Sequence, residues 1–171
     1  MAEREFAPGR IFLQPAGIVL EGRPTQVRTV LGSCVAVTMR APRLGRAAMV
    51  HCLLPRAAAA AGSMPEAEAL RYVDTAIELM LTAFARIGVV PAEIETKLFG
   101  GADRIHRGNP NHGYRVGRRN IEAALEVLRG RGIVPAVLEV GGRNGRVIDF
   151  DTATGLVMVR RLPCDAAGES L

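Results

Sequence analysis

The runs Cys34-Val35-Ala36-Val37-Thr38-Met39 and Arg46-Ala47-Ala48-Met49-Val50-His51-Cys52-Leu53-Leu54 decide how this chain is read. Both are apolar and β-rich, and Ala41 to Gly45 between them holds the proline and glycine of a turn, so an antiparallel strand pair is expected. Two features interrupt the pattern. Leu31-Gly32-Ser33 sets small residues directly before Cys34, where glycine permits a sharp turn or a close approach. His51 stands inside an apolar strand, where an imidazole is costly unless it is paired. Each has a plain reading, Cys34 as a small buried hydrophobe and His51 as a core histidine bonded to a carbonyl. Register decides what they do together. A four-residue loop, Ala41 to Leu44, makes Arg40 face Gly45 and puts Cys34 opposite His51, with Cβ atoms ~4.5–5.5 Å apart. A five-residue loop puts Cys34 opposite Cys52 and turns His51 to the other face. A slip of two residues from the first register, or a Cys34 lifted off the strand, keeps the two side chains able to meet. A Cys–His pair is a nucleophilic site in outline, since an imidazolium lowers the thiol pKa and an imidazole moves protons.

Working outward, short strands are expected within Arg10 to Leu20 and over Thr25 to Val30, Glu93 to Phe99, Ala136 to Val140, Val147 to Phe150 and Leu156 to Arg160. One helix is expected from about Pro65 to Ile87, with Leu70, Val73, Ile77, Met80, Leu81, Phe84 and Ile87 on one face. Ser63-Met64-Pro65-Glu66 has the form of a capping box at its start, and Gly88 ends it. A second helix is expected from about Asn120 to Arg129, burying Ile121, Ala124, Leu125 and Leu128. Asn144-Gly145 signals a tight hairpin. Residues 1–9 are read as a flexible N-terminus, 10–162 as one α/β domain and 163–171 as a flexible tail.

The chain has 171 residues, enough for one core, and 49% hydrophobic residues argue against disorder. Only 4% are aromatic, so aliphatic side chains fill that core. No apolar run reaches the ~18 residues of a membrane span, and no signal core follows the N-terminus, so a cytoplasmic protein without membrane insertion is expected. Twenty-two basic against 17 acidic residues give +5. The arginines do not alternate with stacking aromatics, which turns the reading from nucleic acid toward an acidic protein partner. Three cysteines, Cys34, Cys52 and Cys164, without a CxxC, speak against a disulfide framework or a structural metal. His106 and His112 lack metal-ligand spacing.

Leu31-Gly32-Ser33-Cys34-Val35-Ala36-Val37 resembles the active-site signature of the CheD family, the chemoreceptor glutamine deamidases of bacterial chemotaxis. The likeness continues, in the family's order, through His51-Cys52-Leu53-Leu54-Pro55, Lys97-Leu98-Phe99-Gly100-Gly101-Ala102, Gly117-Arg118-Arg119-Asn120-Ile121 and Gly141-Gly142-Arg143-Asn144-Gly145-Arg146. It covers roughly residues 10 to 161. The resemblance implies a single-domain α/β sandwich of mostly antiparallel or mixed sheet with two main helices, similar to CheD and the deamidating toxins. It implies a Cys–His–Thr site needing no cofactor or metal, in which Cys34 is the nucleophile and His51 the general base and acid. Thr29, five residues before the cysteine, is the candidate third member; in some members the threonine lies six before, where this chain has Arg28. Ser33 is expected to contribute to substrate binding through its backbone, and Gly100 and Gly101 to form a wall that substrate approaches. Arg104, Arg107, Arg115, Arg118 and Arg119 either face an acidic receptor or belong to a solvated basic loop that follows a turn at Gly100 and Gly101. The implied partners are methyl-accepting chemoreceptor cytoplasmic domains and a CheC-type phosphatase. A binding module with little turnover is the competing class.

Overall fold

The computed structural model describes residues 9–103 and 115–163. The expectations for residues 1–8, Arg104, His106, Arg107, His112, Cys164 and the rest of the tail lie outside these residues. Among the described residues nine strands form two sheets. A five-stranded sheet has the order β2-β5-β4-β6-β7, from β2 (Gly17–Glu21), β4 (Val35–Ala41), β5 (Arg46–Cys52), β6 (Glu95–Gly100) and β7 (Val137–Val140). A four-stranded sheet has the order β1-β3-β8-β9, from β1 (Arg10–Phe12), β3 (Gln26–Leu31), β8 (Arg146–Asp151) and β9 (Val157–Arg161). Each sheet holds one parallel pair, β6 with β7 and β1 with β3, among antiparallel ones.

The burial patterns explain the layering. In β4 and β5 nearly every residue is buried, so both faces of the five-stranded sheet are covered and their sequences run apolar without alternation. In β3 burial alternates, so the four-stranded sheet shows one face to water. Helices α2 (Val73–Arg86) and α3 (Val116–Gly130) pack on one face of the larger sheet, where Val35, Val37, Val50 and Cys52 meet Ile77, Met80 and Leu128. The smaller sheet packs on the other face, where Ala36, Met49 and Phe99 meet Val27, Ile148 and Phe150. Burying one such aliphatic or aromatic side chain contributes ~1.5–3 kcal/mol, which an arginine-rich, aromatic-poor chain obtains from these two cores.

Four expectations are corrected. The helix expected over 65–87 is two helices, α1 (Glu66–Ala69) and α2, because Leu70 to Tyr72 turn aside to meet the end of β5. There the Leu53 and Leu54 N–H groups both donate to the Arg71 carbonyl (2.9 and 3.0 Å), and Val73 N–H donates to the Leu54 carbonyl (2.8 Å). Ser63 does not cap: its hydroxyl donates to the Ala60 carbonyl instead. Asn144-Gly145 is not a hairpin, since β7 and β8 belong to different sheets and residues 141–145 cross between them. Helix α3 also begins four residues before the expected Asn120. The Asp103 carboxylate accepts the Gly117 and Arg118 N–H groups (2.9 and 3.2 Å), a cap supplied from a distant segment.

Candidate active site

The register of β4 with β5 pairs Ala36 with His51 and Ala41 with Arg46, the two-residue slip from direct opposition of Cys34 and His51. Parity is preserved. Cys34, one residue before β4, packs against the inter-sheet cluster, and Ala36 on the same face pairs with His51. Such a diagonal spans roughly 7–8 Å in a regular sheet. On its other side His51 pairs with Gly17. Glycine and alanine as flanking partners leave the imidazole open toward the opposing sheet, where Thr29 lies on the inward face of β3.

His51 is 2% exposed. The Thr29 hydroxyl is 2.7 Å from the Leu13 carbonyl and 2.8 Å from His51 Nδ1. A hydroxyl has one proton, and the carbonyl can only accept, so Thr29 donates to Leu13 and accepts from His51. That assigns the proton of the neutral ring to Nδ1 and leaves Nε2 as the basic nitrogen. Nε2 is buried and has no partner among the described residues. The turn carrying Leu13 is itself tied to the strand: Ala16, in the left-handed region at φ 59°, donates its N–H to the His51 carbonyl (2.8 Å). Arg28, the other position for the third residue, lies on the outer face and pairs with Asp149 (2.6 Å).

Burial sets the charges. It pushes the Cys34 thiol up, partly offset by its own backbone N–H, and pushes His51 down, partly offset by the Leu13 carbonyl. Burial thus favours the neutral form of each group, which runs against the expected lowering of the thiol by an imidazolium. Cys52 faces the helices, fully buried, with its thiol pushed far up by burial and then by the nearby Cys34 and Asp74.

Ser33 is exposed on the cysteine loop. Gly100 and Gly101 are buried, and what a Cβ would strike there belongs to this chain: the Cys34 carbonyl at 2.3 Å for Gly100, Ile121 Cδ1 at 2.6 Å for Gly101. With φ of 101° and 68°, they are glycines because the backbone passes close behind Cys34. They brace the loop behind Cys34, and the rest of the expected wall lies outside the described residues. Arg115, Arg118 and Arg119 are exposed at the start of α3, with Arg118 paired to Glu122 (2.7 Å). Among the described residues no three His, Cys, Asp or Glu side chains are grouped as a metal centre requires, and no helix is long and apolar enough to cross a membrane.

Two groups of this site escape a reading of the residues alone. The Leu13 carbonyl has no signal in a side-chain pattern. Asn120 has one: it falls with Ala124 and Leu128 on the buried stripe of α3, a polar residue at an apolar position. Its side chain is wholly buried, and Nδ2 donates to both the Ser33 carbonyl (2.9 Å) and the Leu53 carbonyl (3.0 Å).

The family profile described as CheD chemotactic sensory transduction matches residues 53–161. The chain is 41% identical over 156 residues to a probable chemoreceptor glutamine deamidase CheD of Maridesulfovibrio salexigens, covering 90% of this chain and 92% of that one. It is 40% identical over 152 residues to a second such protein, from Geobacter sulfurreducens, covering 89% of each. A relative of the same description in Thermococcus kodakarensis is 38% identical over 134 residues, 77% of this chain and 80% of its own. The profile match begins just after His51, whereas the first alignment leaves too few residues out at either end to exclude the segment holding Thr29, Cys34 and His51.

Proposed function

Because this chain belongs to the CheD family, we propose that it is a protein-glutamine amidohydrolase that converts glutamines of chemoreceptor cytoplasmic domains to glutamate, in the cytoplasm, with Cys34 as nucleophile and His51 as base and acid. The observation that supports the residue roles most is the chain of hydrogen bonds from His51 through Thr29 to Leu13, which leaves Nε2 buried, basic and without a partner among the described residues, on the face that Cys34 shares.

The cycle follows from that arrangement. Cys34 Sγ attacks the carboxamide carbon while its proton passes to His51 Nε2, so the two neutral groups become charged only in the transition state. The tetrahedral oxyanion takes hydrogen bonds from backbone N–H groups at Ser33 and Cys34. His51 returns the proton to the departing nitrogen, the C–N bond breaks, and ammonia leaves a thioester. Water then gives a proton to Nε2 and its oxygen adds to the thioester carbon. The C–S bond breaks, Cys34 recovers the proton, and glutamate is released. A glutamyl methyl ester enters the same cycle with methanol as the leaving group. The exposed arginines at the start of α3 complement an acidic receptor bundle, and a CheC-type phosphatase is a further partner in this reading.

The test is peptide mass spectrometry of a chemoreceptor cytoplasmic domain co-expressed with the wild-type chain or with Cys34→Ala. A gain of about one mass unit at particular glutamines, absent with Cys34→Ala, is the expected result. Equal deamidation by both forms removes Cys34 from the mechanism. Binding without any mass gain replaces the enzyme by an adaptor.

A further inference from the structure

Among the described residues, the backbone around Cys34 is held from the segment after β6 and from α3. Three consecutive carbonyls each accept one hydrogen bond: Gly32 from Ala102 N–H (2.9 Å), Ser33 from Asn120 Nδ2 (2.9 Å) and Cys34 from Gly101 N–H (2.8 Å). Two of these donors are backbone groups on the segment that follows β6. The middle one is a side chain. In a trans peptide the C=O and the following N–H point in opposite directions within one plane. The Ser33 carbonyl and the Cys34 N–H belong to the same peptide unit, so whatever holds the carbonyl aims the N–H. No carbonyl among the described residues receives the Ser33 or Cys34 N–H.

We propose that Asn120 is a positioning residue for the reaction: by pulling the Ser33 carbonyl toward α3 it turns the Cys34 N–H outward as the oxyanion donor, and by bonding Leu53 with the same Nδ2 it ties that loop to the end of the His51 strand. Both partners of Nδ2 are carbonyls, which fixes the orientation of the carboxamide. The cost of the arrangement is visible: Oδ1 is buried without a partner among the described residues, a loss tolerated where a site demands a particular geometry. The helix that carries Asn120 is jammed in place. A Cβ on Gly117 would lie 2.5 Å from the Gly101 carbonyl oxygen, and the Asp103 carboxylate caps the first turn of α3, so the donor sits close against the segment that holds the cysteine loop. The hydrogen bonds of Asn120 go to the Ser33 and Leu53 carbonyls and to neither the thiol nor the imidazole.

The inference rests on the amidohydrolase reading and is separable from it. Steady-state deamidation of a purified receptor domain is compared for wild type, Asn120→Ala and Asn120→Ser, beside the rate at which iodoacetamide alkylates Cys34. Alkylation displaces iodide without forming an oxyanion, so it reports the reactivity of the thiol and not the binding of an oxyanion. The expected result is a fall of ~10²-fold in kcat, the scale of one lost oxyanion donor, with KM and the alkylation rate within about threefold of wild type. Asn120→Ser, which keeps a polar group and loses less volume, shows the same split if Asn120→Ala does not fold. A kcat within about threefold of wild type in a folded variant overturns the inference, and so does an equal fall in alkylation, which would make Asn120 a support of the thiol or of the fold. If the wild-type chain itself shows no Cys34-dependent deamidation, it is the parent reading that fails.

Discussion

Thr29→Val removes one oxygen and keeps the shape of the side chain, so it isolates what the hydroxyl does. The residue is fully buried, and its hydroxyl serves two groups, His51 Nδ1 and the Leu13 carbonyl. Without it those groups lose their shared partner in a place water does not reach, at a cost of about 1–3 kcal/mol in stability. A loss near 2 kcal/mol lowers Tm by about 4–8 °C for a chain of this size. The effect on rate is separate. The Leu13 carbonyl lies close enough to the imidazole to raise its proton affinity, so in the variant the ring swings toward Leu13 and Nε2 leaves its position. A misplacement of about 1 Å in a reacting group costs on the order of 10²-fold. The expected outcome is therefore kcat down ~10²-fold with KM little changed. Thr29→Ser, which keeps the hydroxyl, stays within about tenfold of wild type. Deamidation kinetics and a thermal melt on the same preparations check both numbers. A Thr29→Val protein turning over within about threefold of wild type would refute the relay, as would a serine variant as slow as the valine.

The neutral resting pair predicts a wide pH plateau. Since burial lowers His51 from 6.5 and raises Cys34 from 9.0, kcat/KM should begin to fall on the acid side only below 6.5; an acid limb starting above that value would restore a thiolate–imidazolium pair. Stability follows the same signs. The neutral imidazole contributes fully above the ordinary histidine value and loses that contribution as pH falls toward the lowered native value, because the unfolded chain takes up the proton first. The protonated thiol contributes fully below 9.0 and loses it as pH rises through the raised native value. Melting curves across this range should show both slopes, and His51→Ala should flatten the acid one. Gly100→Ala should destabilise by at least ~2 kcal/mol, since its Cβ meets the Cys34 carbonyl at 2.3 Å at a φ that L side chains avoid. Gly130→Ala, with nothing within 4 Å, is the control; equal Tm values for the two would contradict the packing behind Cys34.

What could be read in the residues was what short-range chemistry dictates. The doubly buried β4–β5 pair announced itself as continuous apolar sequence, and the α3 stripe as a 3.6-residue period. Cys34 and His51 stood out as polar or reactive groups at apolar or strand-start positions, and the order of the motifs carried the family. The register of the hairpin, the break at Leu70 to Tyr72 and the crossing at residues 141–145 were not legible. Each depends on a backbone partner far along the chain, Arg71 for Leu53 and Leu54, or the other sheet for β8, and backbone groups are alike in every residue. The same reason separates the parts of the site. Side-chain types told which residues can attack or carry a proton. Only the packed sheets decide which nitrogen of His51 is basic, because a carbonyl from Leu13 and a hydroxyl from the opposing sheet must meet the ring at once. Only α3, docked by glycines against the cysteine loop, decides which way the peptide before Cys34 points. Reactivity is local and travels with the residue; orientation comes from contacts between distant segments and exists only once they are folded together.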